Sequence, residues 1–466
     1  MSTRIEKDSL GDVHVPDTAY WGSQAERSRQ LFQISGLTEH PKMIDAYVML
    51  KKACAVANRD LGLLDAGQAN AIVQAADEVL GGKLRDQFPV DVFHMGAGTS
   101  FNMNTNEVLA NRAEEILGGN KGEYKLVNPN DHVNYGQSTN DTFPTAMRIM
   151  AQLMITDLLE AVDRLADALA DKGQEFDHIL KSGRTHLQDA VPIRLGQEFT
   201  AYAASIRRCE KWLEMAANEL EELGIGGSAA GTGLNTHPDY PRLVVDNLRA
   251  ETGIEFRTTH DLREAMQSQF CMASLAAGLR LLCLELTRIT NDLRLLCSGP
   301  LTGLAEIVLP PVQPGSSIMP GKVNPSMAEN MNLVLFQVLG QCQSLDYCVQ
   351  AGQLELNVMM PSMAFSAQFA MQILTNTIDT YIDNCIVGIT ANEERCKHYA
   401  EISPSLATAL NVYVGYKKAA EVVKTALKEG KTIPQVVREQ GLLDEETLQK
   451  ALDPALLTEP GIPGKG

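Results

Sequence analysis

Residues 262–298 read LREAMQSQFCMASLAAGLRLLCLELTRITNDLRLLCS, and the spacing within them decides the fold. The stretch holds one glycine, Gly278, and no proline. Leu275, Leu279, Leu282, Leu286, Ile289, Leu293 and Leu296 recur at alternating steps of 4 and 3. Side chains at that spacing share one stripe of a helix, and a stripe sustained this long is the seam of a bundle helix. On either side the same reading predicts helices over 145–172, with Met154, Leu158, Val162, Leu165 and Leu169 on one stripe, and over 197–223, 326–350 and 365–384. Five such helices in succession imply a bundle. Segments such as MNLVLFQVL (331–339) and FCMASLAAGL (270–279) are apolar nearly all round, so they must be covered on several sides. Another copy of the chain is the expected cover.

The composition agrees. Only 5% of the 466 residues are aromatic, and the middle of the chain is built from helix formers. The class expected is all-α. Lys and Arg number 40 against 58 Asp and Glu, a formal charge of −18 that argues against nucleic acid or an anionic membrane as partner. It leaves room for an anionic substrate, because a local field can oppose the net charge. Nine cysteines without a C-x-x-C pair fit a reducing cytosol. The polar start MSTRIEKDSLGD has no signal core, and no apolar run is read as a membrane span. A soluble, cytoplasmic protein is expected, with a frayed C-terminal run PGIPGKG (460–466).

Five polar loops interrupt this helical chain: GAGTSFNMNTNE (96–107), NPNDHVNYGQSTND (128–141), SGRTHLQDAVP (182–192), GIGGSAAGTGLNTHPDY (224–240) and QPGSSIMPGKVNP (313–325). The last lies between Pro314 and Pro325 and offers Ser316, Ser317, Lys322 and Asn324. Its glycines would let backbone N–H groups complete an anion pocket. It can equally be a capping turn with a solvated lysine. Gln137–Asp141 can be an N-cap, and Thr185-His186 an ordinary turn. Thr99 alone says little. Their sum, in a protein that is otherwise scaffold, points to a site. There is no H-E-x-x-H and no phosphate-binding glycine loop, so neither a metal nor a nucleotide cofactor is implied.

GSSIMPGKVNP resembles the signature loop of the fumarase/aspartase superfamily. The resemblance extends over nearly the whole chain, through RIEKDSLG, FPVDVFHMGAGTSFNMNTNEVLANRA, NPNDHVN, QSTND, GRTHLQDAVP, LGQEF, GTGLNTHP, NDLRLL, AGQLELNV and GITANEER. It implies a mostly helical subunit of three domains around a long five-helix bundle: an N-terminal domain over 1–140, a central bundle over 141–395 and a small C-terminal domain over 396–466. It implies a homotetramer whose active sites each draw loops from three chains, and a lyase that forms fumarate through an aci-carboxylate. By the same resemblance Ser316 is the general base, with His186 and Glu329 as further catalytic residues. Thr99, Ser138, Thr139 and Ser317 hold one carboxylate. Thr185, Lys322 and Asn324 hold the other, and Asn140 faces the leaving group beside His186.

Within the superfamily, NMNTNEV, STND, NPNDHVN and AGQLELNV resemble aspartate ammonia-lyases, which deaminate L-aspartate to fumarate and ammonia. Asn128 stands where class II fumarases usually carry a histidine of a second dicarboxylate site. Trp21-Gly22, GLNTHPDY and the TALN…VGYKKAAE tail resemble the fumarases, which interconvert fumarate and L-malate. The loops nearest the chemistry favour the aspartate branch. Leu301 and Met360 depart from both, replacing charges, either as a structural pair or as an altered pocket for a different nucleophile. A catalytically inactive structural relative is disfavoured by the presence of Ser316, His186, Lys322, Asn324 and Glu329.

Overall fold

The computed structural model describes residues 2–462; the last four residues of the PGIPGKG run lie outside them. Five long helices dominate: Thr139–Glu175, Leu195–Leu220, Phe270–Leu296, Ser326–Val349 and Met360–Tyr381. The seam read from the sequence is the buried stripe of Phe270–Leu296, where all seven residues from Leu275 to Leu296 are at most 7% exposed. Burying one leucine side chain of this kind contributes about 1.5–3 kcal/mol.

The helix boundaries differ from expectation where local chemistry competes with periodicity. The 262–298 stretch breaks after Gln267, where Ser268 takes an extended conformation and separates Leu262–Gln267 from the long helix. The first long helix starts at Thr139 rather than 145 and runs through Pro144. That proline is the sixth residue of the helix, past the first turn, so it leaves the Asn140 carbonyl without its i→i−4 donor. The last ends in a π turn, Ile382–Ile386. Phe270–Leu296 is also long and apolar enough to cross a membrane, with a window of mean hydropathy 1.6, which corrects the expectation that no run approaches such a span. Half of that window is buried inside the chain.

The chain divides into two compact units: residues 1–160, 209–283 and 336–375 form one, and 161–208, 284–335 and 376–466 the other. Every boundary falls inside one of the five long helices. In the first unit, Gln152 Nε2 donates to the Ala217 carbonyl at 2.5 Å, and Leu213 packs against Gly278. Arg280 pairs with Asp346, and Ser366 bonds Ser344 at 3.1 Å. In the second, Arg207 pairs with Asp163 and Asp167, and Tyr202 donates to Asp292 at 3.2 Å. Asn332 Nδ2 donates to Asn291 at 2.9 Å, and Arg164 pairs with Asp379. Each unit therefore ties the same helices to one another with different polar contacts around an apolar centre.

Among the described residues, four two-stranded sheets accompany the helices, and the sequence reading anticipated none of them. Thr3–Asp8 pairs antiparallel with Gly11–Pro16, and Leu180–Thr185 with Gln188–Arg194. The other two pair only two residues on each strand. Shorter helices complete the first unit, including Pro41–Asp60, Ala66–Leu80, Thr99–Ile116 and Tyr240–Thr252. A separate small core of Leu406, Leu410, Val422, Val436, Val437 and Leu448 gathers the C-terminal helices of the second.

If the Leu275–Leu296 stripe carries the fold, Leu286→Ala should lower unfolding free energy by about 2–5 kcal/mol in urea titration. Leu10→Ala, at a position 81% exposed, should leave the midpoint nearly unchanged.

Candidate active site

In the first unit two helix N-termini are brought together. The turn Gly96–Gly98 leads into Thr99–Ile116, and the Ala97 N–H donates to the Val358 carbonyl at 2.8 Å. Gly98 has φ +92, and a Cβ there would lie 1.9 Å from the Phe143 ring. Only glycine allows this approach, and Phe143 belongs to the first turns of Thr139–Glu175. Asn102 Nδ2 donates to Thr139 Oγ1 at 2.9 Å, joining the two ends again. Ser138 Oγ accepts from the Asn140 N–H at 3.2 Å, and Asn140 Nδ2 donates to the Ala229 carbonyl at 2.9 Å. Thr99, Ser138 and Asn140 are partly exposed, and Thr139 is buried. First-turn N–H groups without helical partners, beside hydroxyls, favour an anion.

Two buried ionic groups flank this turn, and the sequence reading placed neither in the site. Asp141 is wholly buried and accepts from the N–H groups of Ser138 (2.9 Å), Gly226 (3.1 Å) and Ser228 (3.0 Å). Burial pushes its carboxyl up to about 6, against those hydrogen bonds. Lys51, wholly buried in Pro41–Asp60, donates from Nζ to Asn134 Oδ1 at 2.9 Å and to Gln137 Oε1 at 2.8 Å. Burial lowers it to about 7. A lysine in a helix so far back along the chain carries no local signal, whereas Asp141 stood within a quoted motif as a capping residue.

In the second unit, the segment read as a loop is a tight β-hairpin. Thr185 pairs with Gln188, which leaves His186 (φ +55) and Leu187 (φ +59) as its two turn residues. Positive φ at both centres is the pattern of a type I′ turn, usually filled by Asn and Gly. Here a histidine and a leucine hold it, both exposed, at about 1–3 kcal/mol of strain each. Beneath it, buried Lys181 bridges Glu198 (2.8 Å) and fully buried Glu306 (3.0 Å), while Arg184 bonds both Glu306 oxygens at 2.9 Å. This ionic cluster anchors the strands that present Thr185 and His186.

The 315–325 segment folds back on itself. The Gly315 N–H donates to the Lys322 carbonyl at 3.0 Å, and Asn324 Nδ2 to the Gly315 carbonyl at 2.7 Å. A Cβ at Gly315 would lie 2.5 Å from the Lys322 carbonyl, so the closure needs glycine. Within the loop, Ser316 Oγ accepts from the N–H groups of Ile318 (3.2 Å) and Met319 (2.9 Å). Those donors stabilise negative charge on the oxygen. Ser317 and Lys322 are exposed, as is Ile318 (84%); Asn324 is half-buried, with Glu329 one turn into Ser326–Val349. Among the described residues, no hydrogen bond or ion pair joins His186 to Glu329, or the hairpin turn to this loop.

The positions that set the branch reading are also visible. Asn128 Oδ1 accepts from the N–H groups of Asn130 (2.8 Å) and Asp131 (3.1 Å), so it caps the Pro129–Val133 turn. Met360 is wholly buried, whereas Leu301 is among the most exposed apolar residues.

A family model described as lyase matches residues 11–340, and one described as fumarase C C-terminus matches 406–459. An aspartate ammonia-lyase of a Bacillus species is 46% identical over 99% of each chain. A class II fumarate hydratase of Halobacterium salinarum is 47% identical over 98% of each. Among solved structures, the fumarate lyase (delta crystallin) of Brucella melitensis in native form superposes with a TM-score of 0.91 at 44% identity, over 97% of this chain and 100% of the other. The extent of these matches, end to end, places the chain in the fumarase/aspartase superfamily of lyases.

Proposed function

We propose that the protein is a carbon–nitrogen lyase that reversibly deaminates L-aspartate to fumarate and ammonia. The observation that carries the reading is the Ser316 oxygen, which receives two loop N–H groups in a segment pinned by Gly315 and Asn324. Two donors on one hydroxyl oxygen favour its alkoxide, and an alkoxide is basic enough to take a proton from a carbon beside a carboxylate. The relatives named aspartate ammonia-lyase support the choice of substrate. Those named fumarate hydratase support a second reading, hydration of fumarate to L-malate.

In the proposed reaction, Ser316 takes the proton from C3 of aspartate, and the C–H electrons move into the adjacent carboxylate. The resulting aci-carboxylate dianion is held by Thr99, Ser138, Thr139 and Ser317, each well-placed donor being worth about 3–4 kcal/mol. Thr185, Lys322 and Asn324 hold the other carboxylate. The electrons then return to form the C2–C3 double bond, the C–N bond breaks, and ammonia leaves past Asn140 and His186, with Glu329 as partner to His186. The proton on Ser316 passes to the departing ammonia or to water, which restores the base. No cofactor enters this reading.

The same proposal assembles four chains, each site taking its loops from three of them. Exposed apolar side chains on the long helices support it: Trp212, Met215, Leu284, Leu333, Phe336 and Tyr347. So does the exposed apolar tip of the 315–325 loop. The domain division at 1–140, 141–395 and 396–466, and a cytoplasmic location, belong to the same proposal.

Purified protein should consume fumarate faster with ammonium than without it, followed by ultraviolet absorbance, and should form L-aspartate. Equal loss in water, with malate as product, would move the assignment to hydratase. Light scattering at micromolar concentration should give four chains per particle, and a stable, active monomer would remove the shared site. Ser316→Ala should lower kcat by about 10²–10⁴-fold with KM little changed. Lys322→Ala should raise KM and lower kcat together, because that ammonium meets a carboxylate in both ground and transition states. More than a tenth of activity left in Ser316→Ala would shift the search for the base to His186.

A further inference from the structure

The turn that carries Ser138, Thr139 and Asn140 rests on a buried lysine that touches none of them. Lys51 Nζ bonds Gln137 Oε1 and Asn134 Oδ1. Asn134 Nδ2 in turn donates to the Gln137 carbonyl at 3.1 Å. Asn134 Oδ1 also accepts from Asn106 Nδ2 at 3.2 Å and, more distantly, from Asn102 Nδ2, which holds Thr139. Lys51 is thus the hub of an amide network that enters the turn at residue 137 and again at 139. On the other side, Asp141 grips the Ser138 N–H and the 226–228 loop.

Among the described residues, no carboxylate reaches Lys51 by a hydrogen bond. The titratable groups around it are few. Tyr47 and Cys54, on its own helix, are kept neutral by burial, Tyr47 held well above its usual range and Cys54 pushed up to about 12. Tyr240, from Tyr240–Thr252, is likewise raised by burial. Ala66–Leu80 and Tyr240–Thr252 present Asp77 and Glu251, both engaged with Lys52. His132, within the Pro129–Val133 turn, faces the Asn128 N–H and Gln68. Thr99–Ile116 offers amides here. Asp141 is left as the counter-charge. A cation bonded only to amide oxygens keeps its field unspent, and that field lies behind the first turn of the helix that begins at Thr139.

We infer that Lys51 is a positioning residue for the carboxylate received by Ser138 and Thr139: it fixes the 137–139 turn through Gln137 and Asn134, and its charge strengthens that anion subsite. The inference rests on the dicarboxylate reading above and extends it to a residue outside the polar loops. It carries a pH consequence. Burial lowers Lys51 and raises Asp141, so rising pH removes the positive charge behind the turn while the carboxylate stays charged. Affinity for a dicarboxylate should fall as pH rises from 6 to 8.5.

The test uses the full-length protein, with KM for L-aspartate and the inhibition constant of succinate, an unreactive dicarboxylate, measured across that range. Circular dichroism and light scattering run alongside. Lys51→Gln should raise both constants about tenfold, the scale of one lost ionic contact, lower kcat as well because this subsite also meets the extra charge of the aci-carboxylate, and remove the fall in affinity above pH 7. Gln137→Leu, which cuts the link but keeps the charge, should raise KM and retain the pH dependence. Lys51→Met should behave as Lys51→Gln or worse. Wild-type constants and pH dependence in both Lys51 variants would overturn the inference and leave the lyase reading intact. A wild-type protein that neither turns over L-aspartate or fumarate nor binds succinate would overturn both. Loss of assembly in all three variants would reduce Lys51 to a residue of the fold and overturn the inference.

Discussion

Burial of one continuous apolar stripe, Leu275 to Leu296, is the constraint on which the rest of the protein depends. A helix of that length cannot hide such a stripe alone, and its four long companions supply the cover. Once those helices are fixed, their ends are fixed too. Within the first unit the beginning of Thr139–Glu175 meets the beginning of Thr99–Ile116, and the second unit carries the loop that enters Ser326–Val349. Rigid helices therefore set the coordinates of flexible chemistry. Side chains such as Ser138 and Ser316 need only local hydrogen bonds to take their final directions.

The electrostatics invert between surface and site. The chain carries a formal charge of −18, yet the groups proposed to meet substrate are hydroxyls, amides, backbone N–H groups and Lys322, with Lys51 buried behind. An acidic surface and donor-rich loops coexist because screening confines surface charge to about 10 Å in ordinary salt. Buried groups act at shorter range through a less polar medium. The Lys181, Arg184, Glu198 and Glu306 cluster beneath the hairpin shows the other use of buried charge, with each ion paired and the strands held in register.

The long helices were legible because their periodicity is a property of consecutive residues; Leu279 and Leu286 announce the same stripe that the structure buries. The polar loops were legible as composition, and their resemblance to a family supplied the chemistry. The β-hairpin at 180–194 was not, since its strands are short and its turn residues, His186 and Leu187, are not turn formers. Lys51 was invisible for a different reason. Its importance comes from Asn134 and Gln137, which are remote from it along the chain, and nothing in the helix pattern around it distinguishes it from Lys52, which pairs with Asp77 and Glu251 at the surface.

The His186–Leu187 turn gives up stability within two residues, since neither side chain suits a positive φ. Glycine or asparagine at 187 would relax the backbone, and the hairpin would gain folding free energy without losing a contact from the buried cluster below. Because those residues favour the same positive-φ turn, the backbone that carries His186 would keep its conformation. Under selection for heat resistance alone this turn is an early place for change.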